Sequence, residues 1–162
     1  MIKRLKYVLI VACVAAAAGC ALIYFISGGD KLQKNTTITI KEDTVKTLEA
    51  NITGICPGDD REYVINFNVK DAKIFDISLA FREREDRVGT LKNFINVKIT
   101  TADERIEKTL KELLENGETF NLGAGVKSVT IIYSMPESVG NESKGATADF
   151  YIDVTAKATD AK

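Results

Sequence analysis

Apolar and polar residues alternate with a period of two along much of the chain. Between residues 62 and 70, Tyr63, Ile65 and Phe67 fall on one face, whereas polar residues such as Asn66 fall on the other. Successive side chains of a strand point to opposite faces of a sheet, so this alternation predicts a half-buried strand. The pattern recurs in four later ranges and, more weakly, in two earlier ones: 73–81, 94–100, 126–134, 147–156, 36–40 and 47–53.

Six or seven strands in one domain predict a mainly β protein. Each predicted strand has one apolar face, and two sheets that bury such faces against each other form a sandwich. Several strands are separated by turn residues, which favours antiparallel pairing. We therefore expect an antiparallel β-sandwich.

The range 101–117 departs from this alternation. Ile106, Leu110 and Leu113 have helical spacing, and Thr101 with Glu104 has the spacing of a capping box. A glycine at 117 is a typical helix stop. The segment predicts one helix of three or four turns that covers an open end of the sandwich.

The first part of the chain contains a run of 20 uncharged residues, 7–26, after a basic tip of Lys3, Arg4 and Lys6. A helix of this length spans the roughly 30 Å hydrocarbon core of a bilayer. The basic tip stays on the cytoplasmic side, so the following residues are exported. We call residues 1–29 the leader, and it fits both a signal peptide and a single-pass membrane helix.

The leader sets the expected domains and location. Residues 30–46 form a linker before the sandwich, 47–158 form the sandwich, and 159–162 form a tail. The protein is expected outside the cell or at its surface, and it is membrane-anchored through residues 7–26 if the leader is retained. Cys20 follows a sequence similar to a bacterial lipoprotein box, so it is either a lipidation site or an apolar residue in the membrane.

Charge and composition exclude several classes of function. Three of the 22 basic residues lie in the leader, so 19 remain beside 23 acidic residues, a net charge of about −4. This balance argues against a nucleic-acid partner. The chain has no histidine, which excludes catalysis by Ser-His-Asp or Cys-His groups and most catalytic zinc sites. We expect no catalytic centre, no metal and no cofactor.

Beyond the leader, Cys56 is the only thiol, so the exported part cannot form an internal disulfide. No histidine or basic cluster adjoins it in the sequence to activate it as a nucleophile, and we interpret it as a partly buried free thiol. Asp59 and Asp60 follow a Pro-Gly pair, and we interpret them as turn residues because the spacing of a calcium-binding loop is missing.

The order of several short motifs is similar to that of a known family. The leader is followed by a turn, Pro57-Gly58-Asp59, that opens a strand, and a short leucine-rich helix comes later. A second turn, Asn141 to Gly145, precedes the last strand, and Lys144 replaces the glutamine usual there. In this order the chain resembles the TasA and camelysin family of exported Gram-positive proteins.

The resemblance implies a jelly-roll-like sandwich that assembles into biofilm matrix fibres. It also implies that residues 30–46, instead of a linker, provide a donor strand, since about residues 30–40 can be donated to the sheet of a neighbouring subunit. Thr36 lies in the extended part of this segment, and Ile38 and Ile40 would be its inward pair. The alternative is that the segment pairs within its own sheet or links the domain to the membrane.

These observations lead to one expected function and two alternatives. The expected function is an exported structural protein of the envelope or matrix, whose partners are copies of itself or other envelope proteins. The first alternative is a membrane-tethered binding module or adhesin that does not polymerise. The second is a secreted metallopeptidase of the camelysin type, which the missing histidines argue against.

Overall fold

The computed structural model describes residues 34–70, 74–84, 89–143 and 145–159. These residues belong to one compact unit, Leu32–Lys162. Nine strands account for most of it: β1 Lys34–Ile40, β2 Thr44–Thr53, β3 Asp60–Val69, β4 Ile74–Glu83, β5 Asn96–Thr100, β6 Arg105–Thr109, β7 Thr119–Ala124, β8 Ser128–Ser134 and β9 Thr147–Thr159. One α-helix, α1, spans Leu110–Asn116, and short 3-10 turns span Thr90–Asn93 and Asn141–Ser143.

The strands form two sheets. Sheet A has the order β1-β3-β8-β5-β6, and sheet B has the order β2-β9-β4-β7. All pairings are antiparallel except that of β1 with β3, which is parallel. The expectation of a mainly β protein with two sheets and one helix is confirmed.

Alternation buries one face of each sheet in a common core. In β9, for example, Phe150, Ile152 and Val154 are at most 2% exposed, whereas the residues between them are partly exposed. Phe81, Phe150 and Tyr133 form ring contacts across the core, with centroids 5.8 to 6.2 Å apart. The predicted inward residues of 62–70, Tyr63, Ile65 and Phe67, are buried as expected.

The prediction of a helix over 101–117 is wrong in its first half. Residues 101–104 form the turn of a hairpin, in which Thr101 N–H donates to Glu104 C=O at 2.9 Å. Arg105–Thr109 is then a strand paired with β5. The residues expected to cap a helix, Thr101 and Glu104, do interact, but the Thr101 hydroxyl accepts from Glu104 N–H within the turn.

The true capping box lies eight residues later. The Thr109 hydroxyl accepts from the Glu112 N–H at 3.2 Å, and the Glu112 carboxylate accepts from the Thr109 N–H at 2.9 Å. Gly117 ends α1 in the left-handed conformation, with φ of 57°. The helix buries Leu110, Leu113 and Leu114 and contacts β4 and β6, so it joins the two sheets on one side.

Two strands were not predicted, and several bounds differ. Besides β6, the missed strand is β7, which has only two buried apolar side chains, Phe120 and Leu122. The strand expected at 47–53 begins at Thr44, and the one expected at 94–100 begins at Asn96. Among the residues described, which exclude 1–33, no helix is long and apolar enough to cross a membrane.

Candidate functional site

The N-terminal strand β1 forms one edge of sheet A. It pairs with β3 along its whole length, from Lys34 beside Tyr63 to Ile40 beside Val69. Ile38 is 2% exposed and Ile40 is fully buried, so the two predicted inward residues do face the core. In the single chain, therefore, β1 completes its own sheet. Its role as a donated strand stays a prediction.

The first half of β1 is fixed by the side chain of Tyr63. The Thr36 and Tyr63 hydroxyl groups form a hydrogen bond of 2.9 Å. The Lys34 ammonium lies 5.5 Å from the centre of the Tyr63 ring, within the range of a cation–π contact. Lys34, Thr36 and Tyr63 share the inward-facing set of their strands, because residues two apart point to the same face. These contacts define the register of β1 against β3.

A connection of three residues, 41–43, carries the chain from β1 in sheet A to β2 in sheet B. At its start, Lys70 N–H donates to Ile40 C=O at 2.9 Å. At its end, the Asp43 carboxylate accepts from the Ala158 N–H of β9 at 2.7 Å. The connection is thus short and held at both ends.

The two turns that carry the family resemblance lie at one end of the sandwich. Gly58 has a φ of 86° in the first turn, a conformation that favours glycine, and its N–H donates to Met135 C=O at 2.8 Å. Asp59 closes the turn, because its carboxylate accepts from the Cys56 N–H. Met135 opens the loop that carries the second turn, Asn141 to Gly145. The structure therefore brings Pro57-Gly58-Asp59 to that loop.

A small cavity, the inter-sheet cleft, opens at the same end between β1 and β3 on one side and β2 on the other. Its volume is about 90 Å³, and it is lined by charged, polar and apolar side chains of three strands and by Tyr133: Lys34, Ala50, Asn51, Ile52, Arg61, Glu62, Tyr63 and Tyr133. The Tyr133 hydroxyl is buried and has no hydrogen-bond partner among the described residues. Burial, and to a lesser degree the nearby Tyr63, raises the pKa of Tyr133 well above its usual value. The phenol therefore stays protonated and remains a donor.

A larger groove of about 510 Å³ lies on the outer face of sheet A, where Lys98, Glu107 and Glu112 contribute to its lining. Arg105 holds the pKa of Glu107 below its usual value through a hydrogen bond and its charge. Hydrogen bonds from Thr109 lower the pKa of Glu112. Both carboxylates stay ionised near neutral pH, so neither is suited to act as a general acid. The described residues contain no group of three or more side chains able to hold a metal ion.

The remaining candidate residues are placed as follows. Residues 7–26 and Cys20 lie outside the described residues. Cys56 is exposed, which corrects the expectation of partial burial. Its position explains the exposure, because the Cys56 to Asp59 turn projects from the end of the sandwich before β3 begins.

Comparisons with known proteins identify no family. No protein-family model matches the sequence, and no curated protein matches it. The fold is similar to a mutant of a periplasmic inhibitor of g-type lysozyme from Escherichia coli, with a TM-score of 0.40, 12% identity, and 77% of this chain and 99% of that chain covered. It is similar to the corresponding inhibitor from Aeromonas hydrophila, with a TM-score of 0.40, 11% identity and the same coverage.

A third similar structure comprises the CUB1-EGF-CUB2 domains of rat MASP-1. The TM-score is 0.39 and the identity is 14%, over 78% of this chain and 44% of that chain. At these scores the three likenesses carry no argument about function, which depends on the geometry of this chain.

The sequence did not reveal that the hydroxyl groups of Tyr63 and Tyr133 lie at the inter-sheet cleft. Both fall on the inward face of alternating strands, so they were interpreted as core residues. One signal could have revealed them. Arg61 lies two residues before Tyr63 in β3, so it points to the same face, and it pairs with Tyr133 of β8. A charged side chain beside tyrosines at inward positions indicates that the apolar core ends there.

Proposed function

We propose that this chain is an exported structural protein of the cell envelope or matrix that assembles by exchange of β1 between subunits. The observation that carries the proposal is the position of β1: an edge strand of seven residues that pairs with one neighbour only. A second subunit that supplies its own β1 could occupy the same place beside β3. The backbone hydrogen bonds would supply adhesion, and the Ile38 and Ile40 sites would supply selectivity.

The connection at residues 41–43 bears on the same proposal. Strand exchange needs a connection that can open without disturbing the rest of the fold, and residues 41–43 are the only link between β1 and β2. If β1 of each subunit moves to the next, the contact is heterologous and need not close, so it produces a filament. The leader ends four residues before β1, so its removal would leave this strand close to the new N-terminus.

The strand order supports assignment to the jelly-roll class. Without β1, each sheet has four strands, in the orders β3-β8-β5-β6 and β2-β9-β4-β7. Consecutive strands from β2 to β5 alternate between the sheets, as do β6 to β9. Eight strands in two sheets are expected of a jelly roll, so this order supports the proposal, with β1 as an addition at the edge.

A tethered binding module is the second candidate function, and the pairing observed in the single chain favours it. If the leader is retained, β1 stays in its own sheet and connects the sandwich to the membrane. Fractionation separates the two candidates. An N-terminus near residues 27–30 in the culture medium supports assembly, whereas an intact leader found only in membranes supports the tether.

A cross-link between β1 and β3 tests strand exchange directly. Thr39 and Asn68 are paired in register and both are exposed, so a Thr39→Cys/Asn68→Cys variant in a Cys56→Ser background can lock β1 in its own sheet. We expect the oxidised protein to stay monomeric and the reduced protein to form filaments, as seen by electron microscopy. Filaments of equal abundance in both states would refute exchange of β1.

A matched cross-link controls for the chemistry. Asn51 and Asp149 are paired between β2 and β9, and their side chains already form a hydrogen bond on the outer face. An Asn51→Cys/Asp149→Cys variant should form filaments in either redox state. Deletion of residues 30–40 should also abolish filaments. If neither the parent protein nor any variant forms filaments, the result favours the tethered module.

The proposed function includes no catalytic step. A peptidase of the camelysin type would predict cleavage of casein that a chelator abolishes, and we expect purified protein to show none.

A further inference from the structure

A strand that lies beside β3 meets places of two kinds along its inward face. Ile38 and Ile40 fill two apolar places, with 2% and 0% of their surface exposed. Thr36 fills a polar place, because its hydroxyl forms a hydrogen bond of 2.9 Å with the hydroxyl of Tyr63. The three residues of β1 are spaced by two, so they point to the same face. The place beside β3 therefore distinguishes a hydroxyl from a hydrocarbon along one strand.

Tyr63 is the residue that makes the first of these places polar. It is 5% exposed, and among the described residues its hydroxyl bonds to Thr36. A strand with an aliphatic residue at the position of Thr36 would leave the buried phenol without this partner. Removing one partner costs more than the bond itself contributes, since the remaining polar group stays out of water. Sites that bind a hydroxyl reject analogues without one for this reason.

The inward residues of β1 match these places in one register only. If β1 moved by two residues in one direction, Thr36 would occupy the buried place of Ile38; in the other direction, Glu42 would occupy the fully buried place of Ile40. Burial of an unpaired hydroxyl or a carboxylate in either place is costly. A shift by one residue would instead turn three exposed polar residues toward the core: Asn35, Thr37 and Thr39.

This match matters most for a strand that comes from a second chain. In its own sheet, β1 is tied to β2 by residues 41–43, which restricts its register. A strand from another subunit has no such tie to this sheet. Its register therefore depends on the side-chain places alone.

We propose that the place beside β3 is a sequence-selective acceptor in which Tyr63 is the specificity-determining residue. It accepts an extended segment, parallel to β3, that has a hydroxyl residue two positions before the first of two alternate apolar residues. The partner with this pattern is β1 of a second copy of the chain, and a strand with an aliphatic residue in place of Thr36 is rejected. This selectivity rests on the proposed exchange of β1, during which the acceptor is vacated.

Peptide binding to the full chain tests the selectivity without the need for filaments. The protein carries Ile38→Lys, which is expected to detach its own β1, and a non-ionic detergent is present. The probe is a labelled peptide of residues 30–40, whose binding is followed by fluorescence anisotropy. Thr36→Val in the peptide should raise the dissociation constant roughly tenfold, whereas Thr36→Ser should preserve binding. Thr37→Val makes the same change on the outward face and should not weaken binding.

Two further changes in the protein separate selection from a merely structural role. Tyr63→Phe should abolish the difference between the parent and Thr36→Val peptides, because no phenol is left without a partner. A structural role of Tyr63 would weaken both peptides equally and preserve their ratio. Asn68→Cys in a Cys56→Ser background should form a disulfide with a peptide that carries Thr39→Cys, its partner in register, and not with one that carries Thr37→Cys.

The outcomes distinguish this selectivity from strand exchange itself. If the parent and Thr36→Val peptides bind equally, strands can exchange but Tyr63 does not select them. If no peptide binds although hydrogen exchange shows that β1 is detached, exchange of β1 is refuted and the acceptor with it. A second measurement needs no detached strand: in the parent chain, Thr36→Val should accelerate amide exchange in the first half of β1, and Thr37→Val should not. Equal exchange rates in these two variants would also overturn the selectivity.

Discussion

The two edge strands β1 and β2 are neighbours in sequence but are attached in different ways. β1 pairs with β3 over seven residues, and its outward side chains form no hydrogen bond to β3 among the described residues. β2 pairs with β9 over ten residues, and outward side chains reinforce this pairing. Thr47 donates to Asp153 at 2.5 Å, and Asn51 donates to Asp149.

This difference shows that the two edges of one sandwich are attached by unequal sets of side-chain contacts. The attachment of β1 depends on backbone pairing, two buried isoleucines and the Tyr63 hydroxyl. The attachment of β2 adds a ladder of polar contacts on the solvent side. We therefore expect β1 to open independently and β2 to open only with the whole fold, as happens for segments of unequal local stability.

The largest expected effect comes from placing a charge at the buried centre of each strand. Ile38→Lys should detach β1 and leave the remaining sandwich folded, because the cost of burying the ammonium is avoided by local opening. Leu48→Lys in β2 should instead lower the free energy of unfolding by several kcal/mol. Thermal unfolding and hydrogen exchange would measure both. If the Ile38→Lys variant unfolds globally, β1 does not open independently and the two edge strands do not differ in this respect.

The opposite edge of sheet A provides a reference for β1. Thr109→Ala removes the helix cap next to β6 and should cost about 0.5 to 2 kcal/mol in urea unfolding. Thr109→Ser keeps the hydroxyl and should restore most of that loss. Neither variant should alter hydrogen exchange in β1. Faster exchange in β1 would show that the two edges are coupled through the sheet.

Tyr63→Phe tests the side-chain contact that distinguishes the first half of β1. Loss of the hydrogen bond to Thr36 should cost about 0.5 to 1.5 kcal/mol, and amide exchange near Thr36 should accelerate accordingly. Tyr151→Phe on the outer face of β9 is the matched control. If both substitutions leave exchange in β1 unchanged, the hydroxyl pair does not hold this strand.

The smallest effect concerns the polar ladder of β2. A double-mutant cycle of Asn51→Ala and Asp149→Ala should give a coupling energy of about 0.2 to 1 kcal/mol, typical of a cross-strand pair at the surface. The same cycle on the paired outward residues Thr37 and Asn66 of β1 and β3 should give none. If the two pairs give equal coupling energies, side-chain contacts on the solvent side do not distinguish β2 from β1.

Strand positions with strict alternation could be predicted from the sequence, because one face of each must be buried. The strands β3, β4, β8 and β9 belong to this group. The strand β6 could not be predicted, since Ile106 is its only apolar residue and has helical spacing to Leu110. Thr101 and Glu104 have the same spacing as the true capping box, Thr109 and Glu112, and only pairing with β5 decides between them.

The candidate site was predictable in part. Alternation predicts that residues 36–40 are extended and that Ile38 and Ile40 point inward. It does not predict that β1 pairs in parallel with β3. Parallel pairing depends on contacts between residues far apart in sequence, such as Thr36 with Tyr63. The inter-sheet cleft was not predictable for the same reason, because its walls come from four strands of two sheets.

The direction of β1 determines how the fold would bear tension. Ile40 and Thr44 are separated by three residues, and Thr44 pairs with Ala156 near the end of β9, so Lys34 and Thr159 lie at opposite ends of the sandwich. A pull between these two points acts along the strands. The parallel pairing of β1 and β3 then resists by shear, with its hydrogen bonds loaded together rather than broken one after another.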